Sequence, residues 1–186
     1  LSQRTQADVR WLSMDAWDGC LDGSVSREAL RGRECFAGLD LSSPKDLTAL
    51  VLVFPMGEGH AAVLPFFWAP LEGARKRERN DRVPYTEWEK LGLIKLTPGN
   101  VVDYDIVRAD INELGDEFDI QAIGADPWNA QETITKLANE GHDIMPFRQG
   151  YVSMTEPCKK VEEMVLQTRL RHDGNRILRW NMGNMV

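Results

Sequence analysis

The segment that decides the fold is CFAGLDLSSPKDLTALVLVF, residues 35–54. Residues 35–41 and 47–54 are apolar and β-prone, whereas Ser-Ser-Pro-Lys-Asp at positions 42–46 is typical of a turn. The pattern therefore predicts a β-hairpin. The second segment is apolar on both of its faces, which predicts a strand in the middle of a sheet that helices cover.

Asp40 is the one charged residue in the segment at 35–41. An ionised carboxylate in an apolar strand loses hydration, which hydrogen bonds, a cationic partner or a metal ion must replace. Two interpretations stay open. Asp40 either ends the strand and caps the turn, or it is a functional acid that the strand holds rigidly.

The composition favours one compact domain in a reducing compartment. The chain has 186 residues, of which 42% are hydrophobic, enough for a sizeable core. Cys20, Cys35 and Cys158 are odd in number and far apart, which argues against a disulfide framework and against a zinc site of the CxxC type. We therefore expect a cytoplasmic protein.

Charge and targeting features exclude several further classes. No segment approaches eighteen consecutive apolar residues, and the N-terminal LSQRTQAD lacks the pattern of a secretory leader, so we expect neither a membrane span nor a signal peptide. The sequence also lacks an initiator Met, from which we expect a fragment. The net charge of −7 argues against non-specific coating of nucleic acid, but bound divalent ions would reverse the local field, so a nuclease remains open.

Periodicity predicts a meander followed by alternating strands and helices. After a lead-in at 1–34 that Trp11 and Trp17 attach to the body, a third strand pairs antiparallel to the hairpin. Thr86 and Ser153 are predicted N-caps of their helices. The predicted elements are a strand at 60–69, helices at 71–81 and 84–92, a strand at 93–96, a helix at 104–118, a strand at 119–125, a helix at 129–140, a strand at 142–147, a helix at 153–170 and a strand at 177–180.

A second acid follows the predicted strand at 119–125. Asp126 would lie at the carboxyl end of that strand, where α/β proteins place ligand sites. Together with Asp40 it suggests a carboxylate site for a hard divalent cation such as Mg²⁺. We expect the two acids on adjacent strands, with their side chains on one face. A further acidic group, Asp103, Asp105 and Asp110, is better interpreted as capping and solvating a helix start.

Several catalytic patterns are absent from the sequence. G-x-x-x-x-G-K-[ST], H-E-x-x-H and G-x-S-x-G do not occur, which argues against an ATPase P-loop, a zinc hydrolase and a serine hydrolase within these residues. Clusters of basic residues are typical of solvated helix faces. Lys159, Lys160, Arg169 and Arg171 are nevertheless expected to contact DNA phosphates, because they would lie on the exposed side of the last predicted helix.

Four separated motifs, WLSMDAWDGC at 11–20, GLDLSSPKDLTALVLVF at 38–54, ADPWNA at 125–130 and LRHDGNRILRWNMGN at 170–184, resemble the nuclease domain of bacteriophage large terminase subunits. The resemblance implies a ribonuclease H-like α/β fold, with a mixed five-stranded sheet of three antiparallel strands and then parallel strands, flanked by helices. It implies an endonuclease that cuts concatemeric double-stranded DNA during packaging with two Mg²⁺ or Mn²⁺ ions. Asp40 matches the aspartate that bridges both ions, and Asp126 matches one that ligates a single ion.

The resemblance also implies a context for the chain. An ATPase domain would precede residue 1, so that residues 1–34 form a lead-in from that domain and residues 35–186 form the nuclease domain with a truncated C-terminal end. The implied partners are double-stranded DNA, the terminase small subunit, the portal protein and the ATPase domain of the same subunit. The implied location is the cytoplasm of the infected bacterial host, with no membrane contact.

Two departures from the family pattern keep alternatives open. The third metal-binding acid is expected in or before a helix that follows the R-W-N strand, and the sequence ends at Val186 before such a helix. Either the chain is truncated or another acid substitutes, and a fragment without that acid would bind metal weakly and could be inactive. Arg176 stands where relatives usually have Pro, which would loosen that turn. The alternative functions are another ribonuclease H-like recombination nuclease or a non-catalytic module that grips DNA or docks a partner.

Overall fold

The computed structural model describes residues 11–41, 47–81, 83–128 and 130–185. Its strands are β1 Glu34–Asp40, β2 Thr48–Gly57, β3 His60–Pro70, β4 Lys95–Thr97, β5 Asp119–Ala125, β6 Ile144–Pro146 and β7 Leu170–His172. Its helices are α1 Met14–Asp18, α2 Arg27–Leu30, α3 Leu71–Asp81, α4 Tyr85–Lys90, α5 Tyr104–Glu117, α6 Gln131–Asn139, α7 Tyr151–Leu166 and α8 Arg176–Asn184.

The strands form one mixed sheet in the order β4-β3-β2-β1-β5-β6, and β7 also pairs with β3. The predicted hairpin and the third strand are confirmed, because β1, β2 and β3 pair antiparallel. The turn at 42–46 lies outside the described residues. β5 then pairs parallel with β1, and β6 pairs parallel with β5. Within the described residues the sheet has seven strands rather than five, because the short strands β4 and β7 share the outer edge of β3.

Helices cover both faces of the sheet. On one face, apolar side chains of α5 and α6 pack on β1, β2 and β5, and the central residues Leu50, Leu52 and Phe54 of β2 are completely buried. On the other face, side chains from α1, α7 and α8 pack around Val63. The prediction of a central β2 beneath covering helices is therefore confirmed. Among the described residues, the model has no helix that is both long and apolar enough to cross a bilayer.

The described part of the lead-in, residues 11–34, packs against the body of the protein. The Trp17 ring is 2% exposed and stacks on the His172 ring, with 4.5 Å between ring centroids. His172 Nε2 lies 2.9 Å from the Trp17 carbonyl oxygen, and the His172 backbone N–H donates to the Cys20 carbonyl. The expectation that Trp17 attaches this segment to the body is confirmed.

Two predicted N-cap residues are wrong. Thr86 lies within α4, for which Pro84 is the N-cap, and the Thr86 hydroxyl bonds Glu78 instead. Ser153 lies in the first turn of α7, where its hydroxyl oxygen accepts from the backbone N–H of the N-cap residue Gly150. Both hydroxyls bond groups other than those of an N-cap, so the residue pattern alone placed these two N-caps too late in the chain.

The end of α7 and the structure that follows it also differ from the prediction. The helix does not extend to residue 170, because Thr168 has a left-handed φ of 56° that a right-handed helix cannot contain. The predicted strand at 177–180 is wrong, since those residues lie in α8. Asn175 caps this helix, and its Oδ1 accepts from the backbone N–H groups of Ile177 and Leu178. Burial of Ile177 and Met182 then fixes one helical face.

Replacing the α8 cap should lower stability measurably. Asn175→Ala removes the acceptor for two backbone N–H groups at a position that is 8% exposed, so the free energy of unfolding should fall by about 1 kcal/mol. Urea unfolding followed by circular dichroism measures the loss. Asn184→Ala, at the exposed other end of the same helix, is the control and should change little. Equal effects of the two substitutions would contradict the capping role.

Candidate active site

Strand pairing brings Asp40 and Asp126 to the same edge of the sheet. Asp40 is the last residue of β1, and Asp126 directly follows β5. The two strands are parallel neighbours in which Leu39 is level with Ala125, so the two acids follow side by side at the carboxyl ends. Partners level with each other in a parallel pair point to the same face. The predicted placement on adjacent strands is confirmed.

Asp126 is held by two backbone donors. Its Oδ1 accepts the Trp128 N–H at 2.9 Å, and its Oδ2 accepts the Gln149 N–H at 2.8 Å. These two hydrogen bonds, with a smaller contribution from the positive charge of Arg148, lower the pKa of the Asp126 carboxyl. The ionised form is therefore the favoured one. Each oxygen uses one acceptor direction in these bonds and keeps capacity for a further partner.

Gln149 joins the two acids. While its backbone N–H bonds Asp126, its side-chain Nε2 lies 3.3 Å from Asp40 Oδ1. Gln149 comes from the loop after β6 and is 109 positions from Asp40 in the sequence. The contact is therefore tertiary, and it shows that the two carboxylates share one small region. Sequence reasoning did not identify Gln149, because a glutamine in a loop belongs to no recognisable motif.

The loop that carries Gln149 is fixed on both sides. Before it, the Phe147 N–H donates to the Ala125 carbonyl at 2.8 Å, which continues the pairing of β6 with β5 past the strand end. After it, the Ser153 hydroxyl donates to the Arg148 carbonyl and accepts from the Gly150 N–H. The backbone at residue 149 is thus anchored to the sheet edge and to the first turn of α7.

Aromatic and basic side chains surround this edge. Tyr104, at the start of α5, has a raised pKa because of burial and the nearby charge of Asp40. Trp128 and Tyr151 are 79% and 89% exposed, and each lies within two residues of a group that bonds the acids. Arg148 is also exposed. The three exposed side chains were not singled out from the sequence, where nothing distinguishes them from other surface residues.

The donor set suits a hard divalent cation. Asp40 and Asp126 offer carboxylate oxygens, and Mg²⁺ binds through one or two carboxylates while keeping several waters. The two N–H groups of Gln149 already direct positive dipoles at these oxygens, as a cation would. Among residues 11–41, 47–81, 83–128 and 130–185, no group of three His, Cys, Asp or Glu side chains could hold a metal ion. The described residues thus provide two acids for the site.

Asp103, Asp105 and Asp110 are engaged elsewhere, and the capping interpretation is confirmed for Asp103 but not for Asp110, which lies within α5. Asp103 is the N-cap of α5, and its Oδ1 accepts the Asp105 and Ile106 N–H groups. Asp105 pairs with Arg108 and Lys136. Asp110 accepts from the Trp68 indole at 2.6 Å and pairs with Lys95. These carboxylates stabilise α5 and its contacts.

The predicted DNA-binding residues are not grouped at this edge. Lys159 and Lys160 lie exposed on α7, as expected, and pair with Glu156 and Glu163. The placement of Arg169 and Arg171 on that helix is wrong, because α7 ends at Leu166. Arg169 lies in the following turn and Arg171 lies in β7.

Strand pairing gives the separation, measured along the strands, between these arginines and the acids. The Arg169 carbonyl accepts the Ala61 N–H at the start of β3, whereas Asp40 is level through Ala49 with Phe67. Six residues of strand separate Ala61 from Phe67, about 20 Å at 3.3 Å per residue. Both arginines therefore lie towards the end of the strands that is opposite to the carboxylates.

Comparison with known proteins gives consistent matches over nearly the whole chain. The family model for the terminase large subunit, endonuclease domain, matches residues 1–186. The large subunit of terminase from Enterobacteria phage HK97 is 33% identical over 96% of this chain and 35% of its own length. Protein YmfN of Escherichia coli K12 is 26% identical over 95% of this chain and 40% of its own length. The chain thus spans about a third to two fifths of these relatives.

Two crystal structures are similar to the model. The large terminase of bacteriophage HK97 has a TM-score of 0.85 at 32% identity, over 95% of this chain and 36% of that one. The large terminase nuclease from the thermophilic phage G20c has a TM-score of 0.59 at 10% identity, over 92% of this chain and 79% of that one. The second likeness concerns the fold alone. Terminase nuclease domains have the ribonuclease H-like fold, so the predicted fold class is confirmed.

The hydrogen bonds to Asp126 predict its titration. Because Trp128 and Gln149 bond the ionised form, the Asp126 carboxyl should titrate below about 3.9, the ordinary value for aspartate, in metal-free buffer. A group with a lowered folded-state pKa stabilises the fold above its unfolded-state pKa, and this stability is lost as the pH falls through the folded value. Asp126→Asn should therefore weaken the acid dependence of stability. A carboxyl pKa at or above 3.9 in an NMR titration would contradict this assignment.

Proposed function

The chain belongs to the endonuclease-domain family of terminase large subunits, and from this premise we propose that it cleaves double-stranded DNA with two Mg²⁺ or Mn²⁺ ions held by Asp40 and Asp126. The proposed reaction is hydrolysis of a phosphodiester in concatemeric phage DNA during packaging. The observation that carries the proposal is the joining of the two acids by Gln149 at the carboxyl edge of the sheet. Ligand sites of α/β proteins lie at such edges.

The side chains have separate proposed roles. The chemistry that divalent ions would supply at this site is activation of a water and stabilisation of the leaving oxygen of the phosphodiester. Asp40, on a rigid strand, would help to hold both ions, whereas Asp126 would help to hold one. The backbone N–H groups of Trp128 and Gln149 keep Asp126 ionised and oriented. Arg148, which is exposed next to Gln149, would hold a DNA phosphate near the acids.

A second candidate is a non-catalytic module that grips DNA or docks a partner. It is favoured by the presence of two, not three, clustered acids among the described residues, because a third carboxylate would normally strengthen a two-ion site. The candidates differ in one outcome. A gripping module would bind DNA in Mn²⁺ and leave it intact, whereas the proposed nuclease would cut it.

The proposed context follows from the family. The chain would act with double-stranded DNA, the terminase small subunit, the portal protein and the ATPase domain of its own subunit in the cytoplasm of an infected bacterium. Residues 1–34 would connect the nuclease domain, residues 35–186, to that ATPase domain. Within the described part of this segment, Leu12 and Trp17 are buried against the body, so movement of the preceding domain would act directly on the fold.

Asp40→Asn is the sharpest test of the proposed chemistry. The substitution keeps the size of the side chain but removes the charge that would hold cations, so plasmid cleavage in Mn²⁺ should fall by several orders of magnitude. The melting temperature in metal-free buffer should be unchanged or higher, because neighbouring carboxylates repel each other. Wild type should gain melting temperature when Mn²⁺ is added, and the variant should gain little.

The matched control is Asp119→Asn, at the exposed opposite end of β5. It removes the same charge from the neighbouring strand without touching the proposed site, so cleavage should persist. If Asp40→Asn unfolds the protein but cuts normally per folded molecule, Asp40 is a structural turn cap. If both variants and wild type bind DNA without cutting, the gripping module is the correct function.

Substitution of the basic residues tests where DNA lies. Arg148→Ala should weaken DNA binding and lower the slope of log affinity against log salt by about 1, as expected for one lost phosphate contact.

Lys159, Lys160, Arg169 and Arg171 remain proposed contacts further from the acids. A duplex reaching Arg169 from the acids would extend by at least about six base pairs, since 20 Å along the strands contains about six steps of 3.4 Å. Short duplexes should therefore lose the effect of Arg169→Ala but keep that of Arg148→Ala, and identical effects at all lengths would refute this arrangement.

A further inference from the structure

Gln149 contacts both acids of the proposed site. Its two N–H groups reach Asp126 Oδ2 and Asp40 Oδ1, at 2.8 Å and 3.3 Å. We propose that Gln149 is itself a ligand of the divalent cation and supplies an amide oxygen as the third protein ligand. The inference rests on the proposed function, because it concerns the same site.

The chemistry of the side-chain amide allows it to present either its nitrogen or its oxygen beside Asp40. An ionised carboxylate only accepts hydrogen bonds, so the side-chain amide turns its nitrogen to Asp40 when no cation is present. Rotation of the terminal amide exchanges nitrogen for oxygen at almost the same position. Mg²⁺ and Mn²⁺ bind carboxylate, carbonyl and water oxygens, so the rotated amide matches their preference.

The backbone of residue 149 is positioned independently of its side chain. The Gln149 N–H bond to Asp126 stays in place when the amide rotates, and the Phe147 and Ser153 bonds fix the loop on either side. The side chain therefore needs to lose little freedom to reach the cation. Its exposed position at the loop surface leaves room for the rotation.

A neutral third ligand has an electrostatic consequence. Two divalent ions carry four positive charges, of which Asp40 and Asp126 neutralise two. Because Gln149 is neutral, the loaded site keeps one more positive charge towards the DNA phosphate than it would with a carboxylate at this position. The cost is weaker cation affinity, because a neutral oxygen attracts a cation less than a carboxylate does.

Manganese binding measured by electron paramagnetic resonance tests the proposal without using activity. In the protein at its full natural length, Gln149→Met keeps the side-chain volume but removes the oxygen, and Mn²⁺ affinity should fall about 10-fold, the scale on which polar groups around a metal act. Gln149→Glu should bind Mn²⁺ at least as tightly as wild type. Gln167→Met, at the exposed far end of α7, is the matched control and should bind like wild type.

The possible outcomes separate this proposal from the proposed function. Unchanged or tighter Mn²⁺ binding by Gln149→Met, when Asp40→Asn abolishes it, would overturn the ligand role alone. Absence of Mn²⁺ binding in wild type would overturn both. If Gln149→Met does not fold, Gln149→Asn keeps the amide but shortens its reach by one methylene, and wild-type affinity in that variant would also overturn the proposal.

Discussion

A one-residue bulge between β1 and β5 determines which side chains meet at the site. Cys35 is level with Ile120, but Phe36 is level with Ala122, so Gln121 is the extra residue. Without the bulge, Asp40 would be level with Ala125 instead of following beside Asp126. Because side chains alternate between the faces of a strand, this shift of one residue would send the two acids to opposite faces. The geometry of the site therefore depends on the register of one strand pair.

Bringing two carboxylates together raises an electrostatic cost that the surrounding backbone offsets. Repulsion between neighbouring acids favours protonation of one of them, yet the pKa of Asp126 is lowered. The N–H groups of Trp128 and Gln149 account for this, since both come from turns that β5 and β6 place beside the carboxylate. The fold thus favours the ionised form of Asp126, using backbone donors that substitution of side chains cannot easily remove.

Sequence patterns predicted the sheet well and the last quarter of the chain poorly, for identifiable reasons. The strands around Asp40 and Asp126 contain long apolar runs between clear turn residues, which leave little choice of structure. In contrast, Arg-Ile-Leu-Arg-Trp at 176–180 is compatible with either a strand or a helix. Capping by Asn175 stabilises the helix. The pairing of the two acids was predictable from their positions at the carboxyl ends of strands. Gln149 was not, because its role depends on a loop path that only the tertiary structure defines.

The overall charge of the chain gives the site a further constraint. A protein with a net charge of −7 and a DNA duplex repel each other, so attraction must come from local positive charge. Near the acids the described structure offers Arg148, and the proposed cations would add charge at the point of contact. Cation binding and DNA binding would then be coupled, because each lowers the electrostatic cost of the other. A neutral ligand such as Gln149 strengthens this coupling, since it leaves more of the cation charge for the phosphate than a third carboxylate would.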